Sequence, residues 1–241
     1  MSLSSGCGCG KGLTKADSRN SPDLQELAVE YSWAEVASAT AAFSRAKRLG
    51  RGASGVVYRG TLHEGTEVAV KVLEGPVGAG FADEVRLLSR CRHPNVVMLL
   101  GFAREDSGLP ATQSPGCVRR HQALVYELLS GGDAHFRLHS KERKAPYPWR
   151  ERLQTAIGVA RGLAHLHRHR PEIFHRDIKT QNILFGADGS AKIADFGLAC
   201  VQKAQSSREL AVDDIVGTLG YADPLDAETG IVTEANEVYS F

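Results

Sequence analysis

Residues 174–197 read FHRDIKTQNILFGADGSAKIADFG, and this stretch limits what the chain can fold into more than any other. Residues 182–185 and 191–194 are short apolar runs, and the five residues between them carry the glycines and aspartate that tight turns need. The pattern predicts a small β-hairpin. Such a hairpin delivers Asn182 at the start of one strand and Asp195 just past the end of its partner. Both oxygens can then face one cation, with Asp177 a few residues upstream on the preceding loop. Any single triplet in this stretch arises by chance; the ordered set does not.

The 241 residues suffice for one large domain or two lobes with a sizeable core. With 42% hydrophobic and 24% charged residues the composition is that of a soluble globular protein. A formal net charge of +1 gives no bulk attraction to nucleic acid or to an anionic membrane, and no nucleic-acid partner is expected. The five cysteines (Cys7, Cys9, Cys91, Cys117 and Cys200) are odd in number and lack paired metal-ligand spacing. They predict reduced thiols and a cytoplasmic setting. The longest near-apolar run, 96–103, is far too short to span a bilayer, and the N-terminus lacks a secretory apolar region; no transmembrane segment is expected. Residues 1–23 are rich in Ser, Gly and Lys without apolar period and read as a disordered tail. Within it, Cys7 and Cys9 offer an acylation site and a route to membrane association, with inert cysteines as the plainer alternative.

Beyond the tail, residues 24–129 form a β-rich half and 130–241 a helical half. Ser32 and Glu35 have capping-box spacing, and Trp33, Val36, Thr40 and Phe43 follow at helical intervals. Leu49-Gly50-Arg51-Gly52-Ala53-Ser54-Gly55-Val56-Val57 is a glycine-rich turn between strand-forming residues. Glycines let backbone N–H groups approach a phosphate, although a plain hairpin explains this run about as well when taken alone. A strand follows, not a helix, which argues against a dinucleotide-binding turn. Residues 66–73 alternate as a strand and carry Lys71; after a glycine loop it reads as a phosphate-binding cation. The run 81–88 fits a helix whose inward side holds Glu84, an unfavourable place for an unpaired carboxylate; Lys71 is its natural partner. Residues 96–102 and 123–129 read as strands, 103–122 as a long surface loop, and 149–167 as one amphipathic helix.

Taken together these residues resemble the protein kinase signature set. Gly50-x-Gly52-x-x-Gly55-x-Val57 resembles the glycine-rich loop over ATP. Val68-Ala69-Val70-Lys71 resembles the strand bearing the phosphate-binding lysine, and Glu84 its helical partner. His175-Arg176-Asp177 with Lys179 and Asn182 resembles the catalytic loop, and Asp195-Phe196-Gly197 the metal-binding triplet. Further runs narrow the resemblance to receptor-like kinases of the Pelle and interleukin-receptor-associated type: residues 31–43, 93–97, 99–102, 124–127 and 217–221.

The resemblance implies an α+β, two-lobed kinase fold and an ATP- and Mg²⁺-dependent Ser/Thr protein kinase. Lys71, held by Glu84, would fix the phosphates, with residues 49–55 (Leu49, Gly50, Gly52, Ala53, Ser54 and Gly55) over them. Adenine would lie between Val57 and Ala69 above and Leu184 below, with Tyr126 behind it and hinge hydrogen bonds from the Glu127 and Leu129 backbone. Asn182 and Asp195 would hold the metal. Asp177 would accept the hydroxyl proton, Lys179 would steady the transferring phosphate as in Ser/Thr kinases, and Thr218 would support both. Leu88, Leu99, His175 and Phe196 would stack as a spine between the lobes. Arg176 would meet the activation loop, where Asp213 and Asp214 stand in place of a phosphorylated residue or form a solvated acidic turn. Partners implied are ATP, protein substrates with Ser or Thr acceptors, and an upstream receptor or adaptor.

Departures from the pattern leave a rival open. Asp223-Pro224-Leu225 stands where the family has Ala-Pro-Glu, and Glu237 where it has an aspartate that caps the catalytic-loop backbone. The family's later helices would follow Phe241, so the second lobe reads as incomplete and the chain as truncated and marginal in stability. Leu225, Ile231, Val238 and part of helix 149–167 would then expose apolar area. The alternative is a non-catalytic nucleotide- or partner-binding pseudokinase or decoy.

Overall fold

The structure, a computed structural model, describes residues 23–52, 54–74, 80–105, 121–140, 147–201, 210–211, 217–224 and 231–241. Residues 1–22 of the expected tail with its two cysteines, Ala53, residues 106–120 of the expected loop, Asp213, Asp214 and Leu225 lie outside them.

The chain enters through a single helical turn, α1 (Leu24–Leu27), and a short strand, β1 (Val29–Ser32). Helix α2 (Trp33–Ala39) then starts from a capping box: the Glu35 amide donates to Ser32 Oγ (3.2 Å) and the Ser32 amide to Glu35 Oε2 (3.0 Å). The helical period in the sequence runs on to Phe43, but the helix stops at Ala39. The Thr40 hydroxyl donates to Val36 O (2.8 Å) and accepts from the Phe43 amide (3.2 Å), and residues 41–43 turn into the left-handed region with φ of 52–56°.

Strands β2 (Arg48–Gly52), β3 (Gly55–Thr61), β4 (Glu67–Leu73), β5 (Leu99–Arg104) and β6 (Gln122–Glu127) join β1 in one six-stranded sheet ordered β1-β5-β6-β4-β3-β2. β1 is parallel to β5; the other pairings are antiparallel. Alternation along the strands sends Val68, Val70, Ala103, Ala123 and Val125 to one buried face with Val36 and Leu62. Across the sheet, Phe102, Leu124 and Tyr126 face helix α3 (Phe81–Arg90) and the second half.

Strand β5 begins later than its apolar run suggests. Val97 donates its amide to Ile193 O (2.9 Å), and Ile193 donates to Asn95 O (2.9 Å), so residues 95–97 pair with the hairpin of the second half instead of the sheet. The two halves are thereby joined by backbone hydrogen bonds.

The second half comprises α4 (Ala134–His139), α5 (Trp149–Arg168), β7 (Ile173–Phe174), a hairpin of β8 (Ile183–Phe185) and β9 (Ala191–Ile193), the short strands β10 (Cys200–Val201), β11 (Leu210–Ala211) and β12 (Ile231–Val232), and α6 (Glu234–Ser240). Helix α5 buries Gly158, Val159, Gly162, Leu163 and Leu166 against β9. A Cβ at Gly162 would stand 2.8 Å from both Asn95 O and Ile193 Cδ1, so only glycine allows the helix this near. Trp149, Leu153 and Ile157, one turn apart, lie exposed on α5, and Val238 is exposed on α6. Among the described residues no helix is long and apolar enough to cross a membrane.

Strand β1 docks where β5 has no side chain. A Cβ at Gly101 would meet Val29 O at 2.3 Å and Tyr31 Cε2 at 2.6 Å. Gly101→Val is therefore expected to expel β1 or strain β5 and to destabilise the domain by about 1–3 kcal/mol in chemical denaturation; an unchanged midpoint would contradict this packing.

Candidate active site

Two groups of polar side chains meet where the sheet faces the hairpin. The first surrounds Lys71. Strand β4 aims this side chain inward, at 5% exposure, and α3 brings Glu84 to it from the other side, at 4%. Lys71 Nζ lies 3.5 Å from both Glu84 oxygens and 2.7 Å from Asp195 Oδ1. Tyr126, at the end of β6, donates its hydroxyl to Glu84 Oε1. Burial, followed by the Glu84 carboxylate, pushes the Tyr126 phenol well up, so it stays a donor. Burial pulls the Lys71 ammonium down, but Glu84 and Asp195 outweigh it and hold the group above its ordinary value. At Asp195 desolvation acts upward, and the Lys71 charge and hydrogen bond override it, leaving the carboxyl below its usual range. The stability this supplies is present above the unfolded carboxyl value and is lost as pH falls through the lowered one.

The second group surrounds Asp177, which is 8% exposed. Its Oδ2 accepts from Lys179 Nζ (2.6 Å) and Asn182 Nδ2 (2.9 Å), and its Oδ1 accepts from Thr218 Oγ1 (2.6 Å). Lys179 also donates to Thr218 Oγ1 (2.8 Å), which closes a triangle. Asn182 Nδ2 donates besides to Asp177 O (2.8 Å), so the amide nitrogen faces Asp177 and the carbonyl oxygen faces away.

The hairpin ties the two groups together. Strands β8 and β9 pair Ile183 with Ile193, and the Ala194 amide donates to Asn182 O (2.9 Å), so Asn182 and Asp195 leave adjacent backbone. Asp195 and Arg176 sit in the left-handed region, at φ 63° and 66°, a strain concentrated at functional backbone. His175 is fully buried: its Nε2 faces Ala194 O (3.0 Å) and its Nδ1 accepts from the Asp177 amide (3.3 Å), which places the ring proton on Nε2. The ring packs edge-on to Phe196, centroids 4.7 Å apart, and Phe196 shares the inner core with Leu88 and Leu99.

The remaining residues of interest lie on the sheet, just after β6 and on the hairpin. Leu49, Gly50 and Gly52 lie on β2, Ser54 in the turn, and Gly55 and Val57 on β3; Gly52 pairs with Gly55. Ala69, Leu129 and Leu184 are partly buried against the inner core, the first two from the sheet side and the last from the hairpin. The Glu127 amide donates to Met98 O (3.1 Å).

Several contacts carry no sequence signal. The Glu127 carboxylate accepts from Lys192 Nζ (2.8 and 2.9 Å) and from the Met98 amide (2.8 Å), joining β6 to β9. Glu237, at 3% exposure on α6, accepts from the His175 and Arg176 amides (2.5 and 2.7 Å), as its place in the sequence suggests, but it also meets His167 Nε2 at 2.6 Å. The longer glutamate thus reaches both the loop of His175 and Arg176 and helix α5.

Carboxylate and amide oxygens on adjacent backbone are the donors a hard divalent cation takes, so Asp195 and Asn182 fit such an ion. Residues 43–241 match the model of the protein kinase domain. The proline-rich receptor-like protein kinase PERK7 of Arabidopsis thaliana is 39% identical over 215 residues, covering 88% of this chain and 29% of that protein. From the same organism, "Probable LRR receptor-like serine/threonine-protein kinase MEE39" is 37% identical over 233 residues, 94% of this chain and 25% of its own length. PERK3 is 38% identical over 216 residues, 88% and 39% respectively. The chain thus spans 25% to 39% of the length of these relatives.

Two outcomes are expected of this geometry. In Lys71→Met the desolvation at Asp195 loses its main counterweight, and the carboxyl should titrate at higher pH than in the parent protein by ¹³C NMR; an unmoved titration would mean that the ion pair does not set it. Glu237→Ala leaves two buried amides and His167 without their acceptor and should lower stability by about 3 kcal/mol in denaturant unfolding, with Glu237→Gln losing less.

Proposed function

Since the chain belongs to the protein kinase domain family, we propose that it transfers the γ-phosphoryl group of ATP to serine or threonine hydroxyls of proteins. The observation that carries this reading is the closed triangle of Asp177, Lys179 and Thr218, which aims a carboxylate and an ammonium at one point beside the hairpin. The names of relatives such as MEE39 support the serine/threonine class.

In this reading the chain's part is positioning and charge neutralisation. Lys71, held by Glu84, binds the phosphates, and the turn between β2 and β3 covers them with backbone N–H groups. Val57 and Ala69 close on the adenine from the sheet, Leu184 from the hairpin, and Tyr126 blocks the rear. Asn182 and Asp195 would hold Mg²⁺, which when bound neutralises charge on the phosphate oxygens. Asp177 orients the acceptor hydroxyl and takes its proton as the hydroxyl oxygen bonds to the γ-phosphorus and ADP leaves. Lys179 offsets charge on the group in transit, and Thr218 keeps both side chains aligned.

The lobes divide near residues 129 and 130. A receptor or adaptor upstream and membrane association through Cys7 and Cys9 belong to the same proposal. A purely binding role draws no support from the site, because Lys71, Asp177, Asn182 and Asp195 are all in place.

Incubated with ATP and Mg²⁺, the protein should incorporate phosphate into its own or a generic substrate's serine and threonine residues, and Asp195→Ala should abolish it. Asp177→Asn is expected to lower kcat by about 10²–10⁴ with little change in ATP affinity. Incorporation in the parent no greater than in Asp195→Ala would refute the proposal.

A further inference from the structure

Helix α3 supplies Glu84, yet what holds α3 against the sheet comes largely from outside the glycine-loop and hairpin machinery. Two separate lines of contact reach it from residues 24–32. Turn α1 packs on α3, with Leu24 8% exposed in the same core as Phe81, Val85 and Leu88. Strand β1 adds itself parallel to β5, in register from Val29–Gly101 to Ser32–Arg104, at the site that Gly101 leaves open. From β1, Glu30 takes a two-point hold on Arg104: Nε to Oε1 at 2.7 Å and Nη2 to Oε2 at 2.9 Å. The Arg104 guanidinium lies 5.3 Å over the Phe102 ring, and Phe102 meets Phe81, the first residue of α3, edge-to-face at 5.8 Å. One path therefore runs through Leu24 to the body of α3, and another from Glu30 through Arg104 and Phe102 to its first turn.

We infer that residues 24–32 are a positioning strap that seats helix α3 and so sets Glu84 against Lys71. Its catalytic consequence rests on the kinase reading, while its effect on α3 does not. The helix itself begins at Gly80 with no side-chain cap, so its N-terminal turn relies on packing for its place. Parallel strand addition is sensitive to displacement, because slipping β1 by one residue sends Tyr31 to the opposite face. Whatever pulls on or covers the chain just before Leu24 is thereby felt at Glu84. Leu24 and Glu30 are positioning residues, since neither touches Lys71.

The test is amide hydrogen exchange of the full 241-residue chain, comparing α3 with α5 as an internal reference. Leu24→Ala should speed exchange in α3 by about ten-fold and leave α5 unchanged. Glu30→Arg should do the same more weakly, and the reversal Glu30→Arg with Arg104→Glu should restore part of the protection, through the ion pair alone, because the guanidinium contact with Phe102 stays lost. ATP affinity, measured by equilibrium binding, should weaken several-fold in both single variants and recover in part in the reversal. Unchanged α3 exchange in both single variants would overturn the strap, as would α3 and α5 speeding up by one common factor, or a reversal that restores nothing. Absence of phosphate transfer with the expected exchange pattern would count against the kinase reading and leave the strap standing.

Discussion

An ammonium at 5% exposure is unfavourable to bury unless anions surround it, and Lys71 has two of them. Glu84 arrives on a helix and Asp195 at the end of the hairpin, from opposite sides of the sheet's inner face. Satisfying one charge thus requires three elements far apart in sequence to converge. Tyr126 adds a neutral donor to Glu84, so that carboxylate is held from both sides. Removing the ammonium would leave two carboxylates facing a shared site without compensation. The juxtaposition that meets the cost of burying Lys71 is also the one that the proposed phosphate binding would need.

The second lobe repeats this logic around backbone. The loop carrying His175, Arg176 and Asp177 has inward-facing amides, and a single carboxylate, Glu237, accepts two of them while also meeting His167. His175 is fixed by Ala194 O on one side and the Asp177 amide on the other, which joins the loop to the backbone between β9 and Asp195. Asp177 is then held by Lys179, Asn182 and Thr218. The loop of residues 175–177 and the hairpin are thereby tied together, and they are linked to the first half through Lys71 and through the backbone bonds of residues 95–97.

Much of this was legible in the sequence because the protein kinase domain family carries particular residues in a fixed order. The hairpin at 183–193, the capping box at Ser32, helix α5 and the burial of Glu84 all follow from turn chemistry, periodicity and the penalty on unpaired charge. What escaped were pairings between groups without a fixed spacing. Nothing in residues 29–32 tells that they add a parallel strand, since the signal is a missing side chain at Gly101, some seventy residues away. The early stop of α2 depends on a hydroxyl, Thr40, that fits the helical period as well as it ends it. Val96 and Val97 look like strand and are extended, but their partner is the distant hairpin. The links Tyr126–Glu84 and Glu127–Lys192 arise only once the sheet's register is set.

The central claim is that Lys71, Glu84 and Asp195 act as one charge network that prepares the nucleotide site. A double-mutant cycle on Mg²⁺–ATP affinity tests it most directly, comparing Lys71→Met, Glu84→Gln and the pair. If Glu84 works by holding Lys71, the double variant should bind no more weakly than Lys71→Met alone, a coupling of about 1 kcal/mol or more. Additive losses from the two substitutions would show that they act independently and would contradict the account.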